Sequence, residues 1–237
     1  MRPTLEDGRA HGGTIQRMMG TRAPPGTTQS SEVHTMAADS VAPSSIDDLH
    51  YPARSLVLLA GLPGAGKSTL LRRLYGLRCD ETEPVPDGRG AWVIDSYQSR
   101  NMWAPYLGPI PPRLRTPLVH ATHVWRIARA MTRGQAVVAH TRGTWPHLLH
   151  GFAWLARRSG TQMHMILLDV EPDVALAGQR IRGRTVTRVA FARHRRRWRA
   201  LIRQARTGAL PPADSVTVLD RPAADTLGAI RFGRPGS

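Results

Sequence analysis

One stretch constrains this chain more than any other: Leu56-Val-Leu-Leu-Ala-Gly61-Leu-Pro-Gly-Ala-Gly66-Lys67-Ser68-Thr69-Leu-Leu. An apolar run from Leu56 to Ala60 enters a glycine-rich turn. Behind the turn, Leu70, Leu71, Leu74 and Leu77 recur at helical spacing. The turn matches G-x-x-x-x-G-K-[ST], the pattern of a phosphate-binding loop. Glycines lack a Cβ, so the main chain can curl until successive N–H groups face one anion at the positive end of a helix. Gly61, Leu62, Pro63, Gly64, Ala65, Gly66, Lys67, Ser68 and Thr69 are therefore the expected cradle of a nucleotide's phosphates. Lys67 would reach the β and γ phosphates, and the Ser68 hydroxyl would ligate Mg²⁺. Lys67 is also the only lysine, in a chain whose other strong cations are arginines. A compact ammonium is kept where a point charge on phosphate is wanted.

At 237 residues with 41% hydrophobic content, the chain suits one domain with a real core plus extensions. No apolar run approaches the ~18 residues of a membrane span, and the start lacks a signal-peptide core, so a cytoplasmic protein without membrane contact is expected. The single cysteine, Cys79, allows no internal disulfide. A net charge of +16 favours polyanionic partners: nucleotides, phosphorylated substrates or nucleic acid.

Residues 1–50 are rich in Gly, Pro, Ser and Thr without sustained periodicity, and read as a disordered leader. From residue 51 to 222 strands and helices alternate, and 223–237 reads as a tail. Strands are expected at Leu56–Ala60, Ala91–Ile94, Ala136–Ala139, Met163–Leu168 and Ser215–Leu219. Helices are expected at about 67–77, from Leu118 to Arg133 and from Trp145 to Arg158, with 105–117 proline-rich and irregular. Leu118, Thr122, Trp125 and Ala128 mark one face of the second of these helices, with Gly134 as its stop. Five strands separated by helices predict an α/β fold, a parallel sheet with helices on both faces.

Ligands of open α/β sheets sit beyond the carboxyl ends of the strands. Asp95, His140 and Asp169 close the second, third and fourth strands. Asp95 could take a proton from an attacking hydroxyl or hold Mg²⁺ through water, or it could simply cap the next helix. Arg100, five residues on, could clamp an anionic acceptor. Between Arg180 and Arg206 stand eleven arginines and no acidic residue. They could form a solvated helix face, a lid in which Arg180, Arg182 and Arg184 close over ATP, or a surface for nucleic acid. His120/His123 and His147/His150 are i, i+3 pairs without a nearby Cys or carboxylate, and read as groove or surface histidines rather than metal ligands.

The phosphate loop, Asp95 after the second strand and Arg182-Gly183 after the Asp169/Pro172 unit together resemble the small P-loop kinases. These include the polynucleotide kinase, adenylylsulfate kinase and zeta toxin groups, whose bacterial members are often called "AAA domain" proteins. The resemblance spans roughly residues 55–220. It implies a three-layer P-loop fold with a five-stranded parallel sheet of order 2-3-1-4-5 and a lid at about 178–206. It also implies ATP with Mg²⁺, and transfer of the γ-phosphoryl group to a hydroxyl of a small molecule or a 5′-hydroxyl end. The general base would fall on Asp95 and the lid arginine on Arg182. Three positions depart from the pattern: Gln98 stands three residues after Asp95 where the polynucleotide kinases carry arginine, Gly178 where their lid motif starts with arginine, and strand three ends Val137-Val138-Ala139-His140 without a carboxylate. No N-K-x-D motif exists to favour GTP. The other class of reading is an ATP-binding regulator, a slow ATPase whose arginine-rich helix contacts nucleic acid.

Overall fold

The computed structural model describes residues 48–141, 146–181 and 188–233, all within one compact unit, Val41–Ser237. In chain order the elements are β1 (Asp48–Tyr51), β2 (Ser55–Gly61), α1 (Lys67–Tyr75), β3 (Val85–Pro86), β4 (Ala91–Ile94), α2 (Ser96–Trp103) and α3 (Pro112–Thr132). There follow β5 (Ala136–His140), α4 (Pro146–Arg158), β6 (Gln162–Leu168), α5 (Pro172–Ile181), α6 (Arg188–Ala205), β7 (Ser215–Leu219), α7 (Arg221–Thr226) and β8 (Ala229–Phe232).

The main sheet runs β3-β4-β5-β2-β6-β7. Every pairing in it is parallel except β3 with β4. The five parallel strands therefore lie in the chain order 2-3-1-4-5. β2 is buried along its whole length, which is why Leu56-Val-Leu-Leu-Ala reads as a continuous apolar run rather than an alternating one. Leu56, Leu58, Leu59, Met165 and Ile166 form the fully buried centre. The connections after β2 and β6, neighbours in the sheet, leave in opposite directions, and the crevice at their carboxyl ends is where such folds place ligands. Among the described residues no helix is long and apolar enough to cross a membrane.

Five expectations need correction. The sheet has a sixth strand, the two-residue antiparallel edge β3, too short to show a pattern. The stretch expected as a tail contains β8, which pairs in parallel with β1 as a separate two-stranded sheet. Residues 112–117 are not irregular: Pro112 opens α3, where a missing N–H costs nothing, and Pro117 is accommodated inside the helix. Finally, α3 is rotated from its expected phase. Its buried face carries His123, Arg126, Ile127, Ala130 and Met131, while Trp125 is exposed and stacks on Arg129 at 5.1 Å. Arg126 can be interior because it reaches Glu83 at 2.8 Å. Helix α1 also stops at Tyr75, two residues early, because Gly76 takes the left-handed conformation that ends helices (φ 64°).

His123 illustrates what that rotation costs. Its imidazole is pushed down to about 3, mainly by burial and then by the neighbouring His140, against the 2.8 Å bond its Nε2 makes with the His140 carbonyl. The folded protein thus keeps His123 neutral, whereas the unfolded chain protonates near 6.5. Stability from this group is complete above that value and is lost as pH falls below it, by up to ~1.4 kcal/mol per pH unit. Urea midpoints should drop between pH 7 and pH 5, and His123→Gln should flatten that drop.

Candidate active site

The loop after β2 is curled as its glycines require. Gly64 and Gly66 adopt φ of 91° and 93°, in the left-handed region. A Cβ on Gly61 would lie 3.2 Å from the Leu168 carbonyl oxygen of β6, a tight approach that a side chain could take only if the strand gave by a few tenths of an ångström. Ala65 N–H donates to the Leu62 carbonyl at 3.0 Å, closing the turn. Helix α1 starts at Lys67 behind Gly66, and no side chain caps its first amides. They are the positive end of a helix dipole facing the loop. Lys67 is largely buried, its Nζ donating to the Gly61 and Leu62 carbonyls at 2.9 and 3.0 Å. This set of amides and one ammonium fits a chain of phosphates. Ser68, next in the helix, adds a hard oxygen donor of the kind Mg²⁺ takes.

A backbone approach seals the loop from above. On α5, a Cβ at Gly178 would fall 2.7 Å from the Gly64 carbonyl oxygen, a main-chain atom that cannot step aside. The arginine expected at this position is replaced by glycine because the helix packs directly on the loop. Gly178→Ala should cost ~1–3 kcal/mol in urea unfolding and weaken nucleotide binding in the same protein.

Asp95 follows β4 directly and caps the next helix. Its side chain accepts from Tyr97 N–H at 2.9 Å, and the Gln98 side chain accepts from Asp95 N–H at 3.0 Å, a reciprocal cap on α2. Gln98 also donates to the Val93 carbonyl at 3.2 Å, so this buried position serves the cap rather than carrying a cation. The same carboxylate meets His140 Nδ1 at 3.3 Å. Burial pushes its pKa up, but His140, the Tyr97 amide and the Ser68 hydroxyl outweigh that and hold Asp95 well below the usual carboxylate range. The structure thus brings Lys67, Ser68, Asp95 and His140 into one polar site.

His140 and Ser96 line an adjoining cleft of about 260 Å³ together with Arg100, Arg115 and His120. Arg100 is exposed at the end of α2, with its guanidinium 5.9 Å from the Tyr97 ring. Arg115 comes from the start of α3, a stretch that the proline-rich sequence hid.

Asp169 stands apart from this cleft. It pairs with Arg206 at 3.0 Å and lines a second hollow with Leu62, Arg195, Trp198 and Arg221. Arg221 was missed by sequence reasoning: its Nη1 lies 3.4 Å from where a Cβ on Gly66 would sit, and its Nε is held by Asp225 at 2.8 Å. The strand-end rule, applied to the fifth strand, leads to Asp220, which caps α7 one residue before Arg221. Arg180 falls in the last turn of α5, and the expectations for Arg182 and Arg184 lie outside the described residues. His147 and His150 line a separate hollow between α4 and α6.

The sequence profile of the AAA domain family matches residues 56–207. No curated protein matches the chain. Among solved structures, one from the PezAT chromosomal toxin–antitoxin system of Streptococcus pneumoniae is similar at 14% identity, covering 76% of this chain and 79% of its own, with a TM-score of 0.51. A gluconokinase from Sinorhizobium meliloti (14% identity, 75% and 89% covered, TM-score 0.40) and a shikimate kinase from Bacteroides thetaiotaomicron (14%, 73% and 92%, 0.41) are similar more loosely.

Proposed function

The chain belongs to the AAA domain family and has the small P-loop kinase-like fold; from that premise we propose that it is an ATP-dependent phosphotransferase acting on a hydroxyl group. The observation that carries the reading is the loop itself: left-handed Gly64 and Gly66, uncapped helix amides and a buried Lys67 pinned to the Gly61 and Leu62 carbonyls, with the strand-end carboxylate of Asp95 paired to His140 at 3.3 Å. Loop amides and Lys67 bind and orient the β and γ phosphates. Ser68 would hold Mg²⁺, with Asp95 as the further candidate ligand, and the ion would neutralise phosphate charge. Asp95 stays ionised and, with His140 against it, accepts the proton of the attacking hydroxyl. Here His140 takes the strand-three position where the family pattern carries a carboxylate, so the second member of the base is an imidazole. Gly178 holds α5 over the loop and keeps water from the phosphates, and Arg180, Arg182 and Arg184 complete the lid. Arg100 and Arg115 make the acceptor cleft cationic, which suits an anionic acceptor.

The test is a screen of the purified protein with γ-labelled Mg·ATP against nucleosides, sugars, hydroxy acids and 5′-hydroxyl oligonucleotides. Transfer to a member of one class is the expected outcome. ATP binding with no transfer to any of them would favour the second reading, an ATP-binding regulator docked on nucleic acid. A specific feature supports that alternative: Arg193, Arg195, Arg196, Arg199 and Arg203 line one exposed groove on α6. Oligonucleotide affinity falling steeply with salt is its signature.

A further inference from the structure

The Asp95–His140 pair already has a hydroxyl within reach, and it belongs to the chain itself. Ser96 is the first residue of α2 and lines the acceptor cleft. Its Oγ lies 3.2 Å from His140 Nε2, on the opposite side of the ring from the 3.3 Å contact between Nδ1 and Asp95 Oδ1. An ionised carboxylate 3.3 Å from Nδ1, an ion-pair contact without hydrogen-bond geometry, favours the imidazole proton on that nitrogen by its charge. Nε2 is then the lone-pair side, turned to the Ser96 hydroxyl. This hydroxyl–imidazole–carboxylate line is the arrangement that makes a serine nucleophilic, at distances normal for a site without substrate. Its far end faces the phosphate loop, whose Ser68 hydroxyl helps to hold Asp95 ionised.

The surroundings suit a phosphorylated product as well. Arg100 stands four residues after Ser96, one turn along the same helix face, and lines the same cleft. Across from it, Arg115 is fixed by bonds from Nε to the Ile110 carbonyl at 2.8 Å and from Nη2 to the Gly108 carbonyl at 3.1 Å. None of the described residues lining the cleft is acidic. A phosphate on Ser96 would be a dianion at the first position of a helix, between two guanidiniums, where both dipole and charge favour it.

We propose that Ser96 is a self-phosphorylation site, activated by His140 and Asp95, whose phosphate fills the acceptor cleft. This rests on the ATP-phosphotransferase reading above. In the step, Ser96 Oγ forms a bond to the γ phosphorus as the bond from that phosphorus to the β–γ bridging oxygen breaks. The electron pair leaves on ADP, the hydroxyl proton passes to His140 Nε2, and water then removes it.

Full-length protein incubated with γ-labelled Mg·ATP and no acceptor should take up about one phosphoryl group per chain, acid-stable and alkali-labile as phosphoserine is. Peptide mass spectrometry should place it on Ser96. Ser96→Ala should lose the label and keep its Mg·ATP affinity in calorimetry, and His140→Asn should label at least ~100-fold more slowly. Several results would overturn self-phosphorylation and leave the phosphotransferase reading standing: no label in protein that binds Mg·ATP, an acid-labile label, label on another residue, or label that survives Ser96→Ala. Undiminished labelling of His140→Asn would overturn the relay. Protein that fails to bind Mg·ATP at all sinks both ideas.

Discussion

Lys67→Ala should leave a folded protein that no longer binds Mg·ATP in calorimetry, a loss of at least ~100-fold in affinity. The ammonium is the one strong cation inside the loop. It is held between two main-chain carbonyls, Gly61 and Leu62, that fix where it sits before any phosphate arrives. A charge so placed, partly removed from water, is worth several times an exposed ion pair. Alanine is a good helix former at the first position of α1, so the helix itself should survive. Thermal unfolding of the variant without nucleotide within a few degrees of the parent separates lost binding from lost fold. Unchanged affinity would remove the nucleotide reading altogether.

Asp95 offers a second large effect, one that separates two roles carried by one side chain. Asparagine keeps an oxygen for Tyr97 N–H and is as good a helix cap as aspartate. Asp95→Asn should therefore unfold at nearly the parent's urea midpoint, while phosphoryl transfer falls by ~10²–10⁴, because an amide cannot take a proton. Asp95→Ala should lose turnover and also ~1–2 kcal/mol of stability with the cap. Equal turnover in the asparagine variant would reduce Asp95 to a cap, and the base would have to be sought elsewhere in the cleft.

What the sequence reveals and what it hides divide along the range of the interaction. The loop is legible because its geometry is local: glycines at 61, 64 and 66 specify left-handed or Cβ-free backbone within eight residues of one another. Asp95 and His140 are legible one step further out, since each ends an apolar strand and parallel strands end together. That the two side chains touch is not legible, because it depends on the register of β4 against β5. Arg115 is hidden behind prolines that look like breakers but open a helix. The phase of α3 is misread because Trp125 looks like core and Arg126 does not, whereas Glu83, far away in the chain, lets the arginine go inside. β1 and β8 are invisible in either segment: four residues, Asp48 to Tyr51, acquire their meaning only from partners at Ala229 to Phe232.

That last pairing has a mechanical consequence. The two strands are parallel, and one leads into the domain as the other leads out. Tension applied to the two chain ends would pull them in opposite directions along their length, loading the whole ladder at once in shear instead of peeling it one rung at a time. An unfolding motor gripping either end would have to break this clasp before its pull reached the nucleotide cradle.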